Sequence, residues 1–183
     1  LSTTQNDITL WESFRKGDKD AFAALFRNHY EALYRYGGKF TNDHQQLEDT
    51  IQELFIELWR SSSRSPVISV RSYLLKALKY KILRGNSKKR STVLSMEGDW
   101  AFEWSHETFL IATQELEEKR QKVLKAVEQL SPRQKEIVYL KYYLNLSYDE
   151  LGDVMGINYQ VARNLLYQAM KMLKKYITIS AND

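Results

Sequence analysis

The sequence predicts an all-α fold: two small helical domains joined by a linker, the second built around a helix-turn-helix. Three observations predict it. Apolar residues recur at spacings of three and four along most of the chain, the pattern of amphipathic helices. The 183 residues include only two prolines and seven glycines, so little interrupts long helices. Residues 147–175 carry two helix starts on either side of a glycine stop.

The elements follow in order. The pattern is helical from Thr9 to Trp59. Asp18 or Asp20 caps a helix with Phe22, Leu25, Phe26, Tyr30, Leu33, Tyr34 and Tyr36 on one face. Glycine inside a helix costs only about 1 kcal/mol. The break is therefore expected not at Gly37-Gly38 but at the turn-rich Thr41-Asn42-Asp43. The next helix buries Leu47, Ile51, Leu54, Phe55, Leu58 and Trp59, and turns Glu48, Asp49, Gln52, Glu53 and Glu57 outward. A polar loop from Ser61 to Ser65 closes at Pro66. Helix resumes from Val70 to Leu83, with Val70, Tyr73, Leu74, Ala77, Leu78 and Ile82 inside, and Gly85-Asn86-Ser87 breaks it. Its flank and tail are basic: Arg71, Lys76, Lys79, Lys81, Arg84, Lys88, Lys89 and Arg90.

Residues 91–113 lose helical periodicity and read as the linker between a domain over 1–90 and a domain over 114–183. The linker is acidic and aromatic, with Trp100 and Trp104 beside Glu97, Asp99 and Glu103. Helix returns from Gln114 to Gln129. Leu130-Ser131-Pro132 starts another, which points Ile137, Val138, Leu140, Tyr142 and Tyr143 toward a core. Ser147 and Glu150 then form a capping box, and Leu151, Val154 and Met155 make an apolar face. Gly156 stops that helix and Asn158 caps the last one. The last helix buries Val161, Ala162, Leu165, Leu166, Ala169, Met172 and Leu173. It presents Tyr159, Gln160, Arg163, Asn164, Tyr167, Gln168 and Lys171.

Composition narrows the function. The net charge of +4 permits a polyanionic partner without requiring one. The absence of cysteine excludes disulfides, thiolate metal sites and cysteine nucleophiles, and fits a reducing cytosol. No apolar run reaches the roughly 18 residues of a membrane span, and no stretch reads as a signal peptide, so a cytoplasmic location is expected. His29, His44 and His106 are scattered through different segments, so no metal site is expected. Without a catalytic constellation or a phosphate-cradling glycine loop, neither an enzyme nor a cofactor is expected.

Three surfaces carry chemistry. In the last helix, arginine matches the two acceptors of guanine and asparagine matches the acceptor and donor of adenine. Arg163 and Asn164 are therefore the base readers, Gln160 and Gln168 flank them, and Tyr159 and Lys171 suit phosphates. The plainer alternative is an exposed polar helix face, which leaves the glycine turn before it without a purpose. The basic helix interleaves Tyr80 with Lys76, Lys79, Arg84, Lys88, Lys89 and Arg90. Cations hold phosphates while rings stack on unpaired bases. Tyr73 is read as core. The cluster Glu48, Asp49, Gln52, Glu53 and Glu57 would, alone, be a solvated face.

The order of these blocks resembles the extracytoplasmic-function sigma factors, small two-domain bacterial transcription initiation factors. The resemblance runs from about Asp18 to Tyr176. Residues 20–26, DAFAALF, resemble the family's opening helix, and residues 47–59, LEDTIQELFIELW, its acidic helix, which docks on core RNA polymerase. Residues 72–84 resemble the helix that melts and reads the −10 element. Residues 130–137, LSPRQKEI, open what looks like the domain that reads the −35 element. In composition the chain is similar to the subgroup common in the Bacteroidetes. The resemblance implies core polymerase, duplex and melted promoter DNA, and an anti-sigma factor as partners. It also implies that the acidic segment at Trp100 and Trp104 mimics nucleic acid inside the polymerase. Two positions depart from the family: Tyr80 stands where asparagine is usual, and Leu165 where a basic residue is usual. Tyrosine at 80 suits stacking on an exposed base rather than hydrogen bonding to its edge. Two other readings compete. A stand-alone helix-turn-helix regulator has no use for the acidic helix, and a helical adaptor has none for Arg163 and Asn164.

Overall fold

A computed structural model describes residues 3–61, 66–89, 102 and 114–179. They are helical, and no strand occurs among them. The chain divides into two compact units, Leu1–Leu94 and Ser95–Asp183.

Among the described residues, the first unit holds four helices: α1 (Thr3–Arg15), α2 (Lys19–Gly37), α3 (His44–Arg60) and α4 (Val70–Lys89). Asp18 caps α2 by accepting from the backbone N–H of Asp20 and Ala21 at 2.8 and 3.1 Å. Asp43 caps α3 through Gln46 N–H at 2.9 Å. Each such cap stabilises a helix by about 1 kcal/mol. The helices close on a core of Trp11, Phe14, Leu25, Leu33, Tyr36, Leu47, Ile51, Leu74 and Leu78. Aromatic rings tie α1, α2 and α3 together: Phe14 meets Phe22 at 5.3 Å, and Phe22 meets Trp59 at 5.0 Å.

Two expected breaks fall elsewhere. α2 ends at the glycine pair and not at Thr41: past Gly37 the backbone tightens, Lys39 N–H bonding Tyr36 O at 3.1 Å and Phe40 N–H bonding Gly37 O at 2.9 Å, and Gly37 itself is buried where α3 and α4 cross. A side chain there would meet Leu47 and come within 3.3 Å of Leu78 and Ile82. Conversely, α4 runs on through Gly85-Asn86-Ser87 to Lys89. Gly85 has open space around it, and one glycine without a proline lowers helix stability too little to end the helix.

A polar contact closes α1 onto the bundle. His29 Nε2 of α2 lies 3.2 Å from Asp7 Oδ2 of α1, both side chains buried. Burial pushes the His29 pKa below its usual value. Asp7 opposes that shift, and the nearby Arg71 of α4 adds to it. A histidine with a depressed folded pKa favours folding while it is neutral. That contribution is lost as pH falls from the ordinary histidine value through the folded one. The melting temperature of the full chain should therefore drop more steeply as pH falls below about 6.5 than that of His29→Gln. Parallel curves for the two proteins would show that His29 does not titrate against the fold.

The second unit holds α5 (Gln114–Glu128), α6 (Pro132–Val138), a π-helical turn (Tyr139–Tyr143), α7 (Tyr148–Met155) and α8 (Tyr159–Ile179). Ser131 and Gln134 cap α6 reciprocally, as Ser147 and Glu150 cap α7. The core gathers Leu124, Leu130, Ile137, Leu140, Leu151, Val154, Ala162, Leu166, Ala169 and Leu173 around α8. Phe102, inside the segment expected to be linker, is buried against Tyr139 with ring centroids 5.7 Å apart. Loss of periodicity therefore did not mean loss of packing at that residue. Tyr142 and Tyr143 were expected to face the core, yet they are 60% and 39% exposed. Both lie inside the π turn, which takes more residues per turn than an α-helix, so a period of 3.6 misplaces them.

Candidate nucleic-acid interfaces

The turn between α7 and α8 is set by two glycines and one asparagine. Gly156 adopts φ 66° and ψ 36°, the left-handed closure that glycine permits. Ile157 N–H then bonds back to Gly152 O at 2.9 Å. This brings backbone so close that a side chain at Gly152 would lie 2.7 Å from Ile157 O. Asn158 accepts from Val161 N–H at 2.9 Å and starts α8 as expected.

The fixed turn presents one side of α8. Tyr159, Gln160, Arg163, Asn164, Tyr167, Gln168 and Lys171 are all exposed, while Ala162, Leu166, Ala169 and Leu173 lie beneath them. Gln160 Nε2 donates to Asn164 Oδ1 at 3.3 Å, so these two amides face one another across one helical turn. Tyr159 packs against Tyr148 of α7, with ring centroids 5.5 Å apart. Val161, expected inside, is 45% exposed, and Leu165 is half-buried. The apolar face of α8 is thus narrower than its sequence suggests, since among the described residues its flank near the turn is left open.

α4 presents a second surface. Lys76 and Tyr80 are half-buried and Arg84 is exposed. Tyr73, read as core, is 37% exposed and lies one turn from Lys76 and two turns from Tyr80 on the same side. It touches the bundle edge-on through Trp11 at 5.3 Å. The sequence signal for it was present, a tyrosine seven residues before Tyr80, but apolar spacing pointed the other way. Lys79 must be corrected: it is 5% exposed, with Nζ 6.0 Å from the Phe40 ring centroid. It sits one turn from Leu75 and Ile82 and so falls on the core side of the helix. Lys88 and Lys89 belong to the last turn of α4, but their side chains, like Arg90, lie outside the described residues. So do Trp100 and Trp104.

The acidic helix, α3, is divided. Glu48, Asp49, Gln52, Glu53 and Glu57 are all exposed. Glu53 and Glu57, however, pair with Lys81 of α4 at 3.3 and 2.7 Å. Gln52 borders a broad groove lined by Phe22, Phe26, Phe55, Ile56 and Trp59, with Lys19 and Arg60 at its rim. Ile56 is 47% exposed there. Periodicity places Phe22, Phe26, Phe55 and Trp59 on the core side, because partial exposure at a helix edge leaves no mark in it; Ile56 falls outside that apolar pattern. Among the described residues, no cluster of His, Cys, Asp or Glu could hold a metal ion. No described helix is long and apolar enough to cross a membrane.

Residues 25–92 match the family model for Sigma-70 region 2, and residues 120–173 that for Sigma-70, region 4. The chain is similar to the ECF RNA polymerase sigma factor SigK of Mycobacterium ulcerans, with 20% identity over 93% of each chain. It is similar to the RNA polymerase sigma-H factor of Pseudomonas aeruginosa, with 24% identity over 96% of this chain and 95% of that one. Its fold resembles that of the sigma factor RpoE solved with the anti-sigma factor NepR from Bartonella quintana. The TM-score is 0.59 at 17% identity, over 88% of this chain and 99% of that one.

Proposed function

Because the chain belongs to the sigma-70 family, as an extracytoplasmic-function sigma factor that directs core RNA polymerase to promoters, we propose that its exposed surfaces divide that task among them. The outward row of α8, from Tyr159 to Lys171, reads the −35 element. Arg163 and Asn164 contact base edges, Gln160 and Gln168 flank them, and Tyr159, Tyr167 and Lys171 hold phosphates. The exposed side of α4, with Lys76, Tyr80 and Arg84 joined by Tyr73, captures unpaired bases of the −10 element. Lys88, Lys89 and Arg90 extend its positive charge. Melting then comes from stacking and phosphate contact, worth about 1–3 kcal/mol per stacked base, and consumes no nucleotide. Glu48, Asp49 and Gln52, with the aromatic groove beside them, dock on the polymerase. Residues 1–90 and 114–183 act as the two binding modules, which gain specificity through effective concentration when both engage one promoter. The protein works in the cytoplasm, where polymerase and promoters are, and an anti-sigma factor is a further partner, as NepR is for RpoE.

The observation that carries this reading is the recognition row on α8. Seven side chains are exposed on one stretch of helix behind a turn that only glycine can close. Run-off transcription with purified core polymerase and a promoter library tests it. Promoter-dependent transcripts are expected from the wild type. Asp49→Ala/Gln52→Ala should co-purify poorly with core polymerase while keeping its circular dichroism spectrum, because neither side chain is in the core. Normal co-purification of a folded double variant would remove α3 from the docking surface.

A further inference from the structure

Lys81 belongs to the basic helix but does not behave like its neighbours. Its ammonium sits between two carboxylates one turn apart on α3, at 2.7 Å from Glu57 Oε1 and 3.3 Å from Glu53 Oε2. Its side chain is 21% exposed, against 66% and 67% for the two acids. Burial lowers its pKa, but the hydrogen bonds to Glu57 and Glu53 outweigh burial and hold it above the usual lysine value. Lys81 is therefore charged and occupied. Two negative charges around one positive charge leave the locality net negative, which repels a phosphate rather than attracting one.

We infer that Lys81 is a positioning residue: through Glu53 and Glu57 it fixes the rotation of α4 against α3, and so aims Tyr80 and Arg84 at the melted strand. The geometry follows from the helix. Successive residues point about 100° apart. With Lys81 anchored on α3, Tyr80 is turned away from that helix and remains half-buried, and Arg84, one turn on, is exposed. The same contact offsets one of the two negative charges of Glu53 and Glu57, while both side chains stay largely exposed. This inference rests on the assignment of α4 to the −10 element, and docking and opening become mechanically connected through one side chain.

The test uses the full chain with core polymerase at saturation, and follows strand opening by permanganate reactivity at the −10 element. Lys81→Met keeps the length and removes the charge. An exposed or partly exposed ion pair contributes up to about 1 kcal/mol, so opening should slow by about two- to fivefold. Affinity for core polymerase should change by less than about twofold. With Glu53→Gln in the background, so that no carboxylate of α3 faces the new glutamate, the exchanged pair Glu57→Lys/Lys81→Glu should recover most of the opening rate, because it rebuilds the contact to residue 57 with the charges reversed. Two results would overturn the inference: unchanged opening in Lys81→Met at saturating polymerase, or no recovery in the exchanged pair. The first, with a defect that appears only below saturation, would make Lys81 a docking residue, and the second a direct DNA contact. A wild type that gives no promoter-dependent transcript would sink the assignment of the surfaces instead, so the two failures are separable.

Discussion

Gly152→Ala disables the second unit while leaving the first folded. The new methyl group would stand 2.7 Å from the carbonyl oxygen of Ile157, which is backbone and cannot swing aside. Either the turn opens, which strains the bond from Ile157 N–H to Gly152 O, or α7 moves off α8. Forcing an extra carbon into such a space costs about 1–3 kcal/mol. Because the turn aims α8, the loss should appear in −35 binding as at least a tenfold fall. Gly85→Ala is the matched control. It lies within α4 with nothing within 4 Å of the added carbon, and should be neutral or stabilising by up to about 1 kcal/mol. Thermal melting and binding to a −35 duplex check both variants. A Gly152→Ala protein that melts and binds normally would show that the turn adapts.

Arg163→Ala relaxes promoter choice rather than weakening all promoters alike. The guanidinium is exposed, and a bidentate arginine–guanine contact carries about 1–3 kcal/mol of discrimination. Preference at one or two −35 positions should flatten, with the rest of the binding profile unchanged. The exposed position of Arg163 means the substitution should leave the melting temperature nearly unaltered, so a specificity change is not confounded with unfolding. Binding across a randomised −35 library measures this directly. A uniform loss over all sequences would make Arg163 a phosphate contact.

The parts of the fold that were legible in the sequence are those governed by local chemistry. Ser147, Glu150, Gly156 and Asn158 each act on backbone within four residues of themselves, and each does what its residue type predicts. The parts that were not legible depend on what another helix does. Position 37 has no room for a side chain because Leu47, Leu78 and Ile82 crowd it from two other helices. Lys79 is covered by the Phe40 turn, and Lys81 is engaged by two acids of α3. A lysine carries the same letter whether it meets solvent, a ring or a carboxylate. The misreading of Tyr142 and Tyr143 has a different origin: both lie within a π turn, where a period of 3.6 does not hold. The family resemblance supplied the order of the blocks and the roles of the surfaces. It did not supply the aromatic groove beside Gln52 or the strut at Lys81, which arise from this chain's own packing.

The separation on α8 between side chains that hold the helix and side chains that face outward has an evolutionary consequence. Ala162, Leu166, Ala169 and Leu173 bear the stability of the helix, and the outward row bears almost none. Substitutions in that row are therefore nearly free of penalty to the fold. After gene duplication, a copy could drift through new combinations at Gln160, Arg163, Asn164 and Gln168 without passing through unfolded intermediates. Divergence of target genes would then be limited by how fast promoters change, not by how much the protein tolerates.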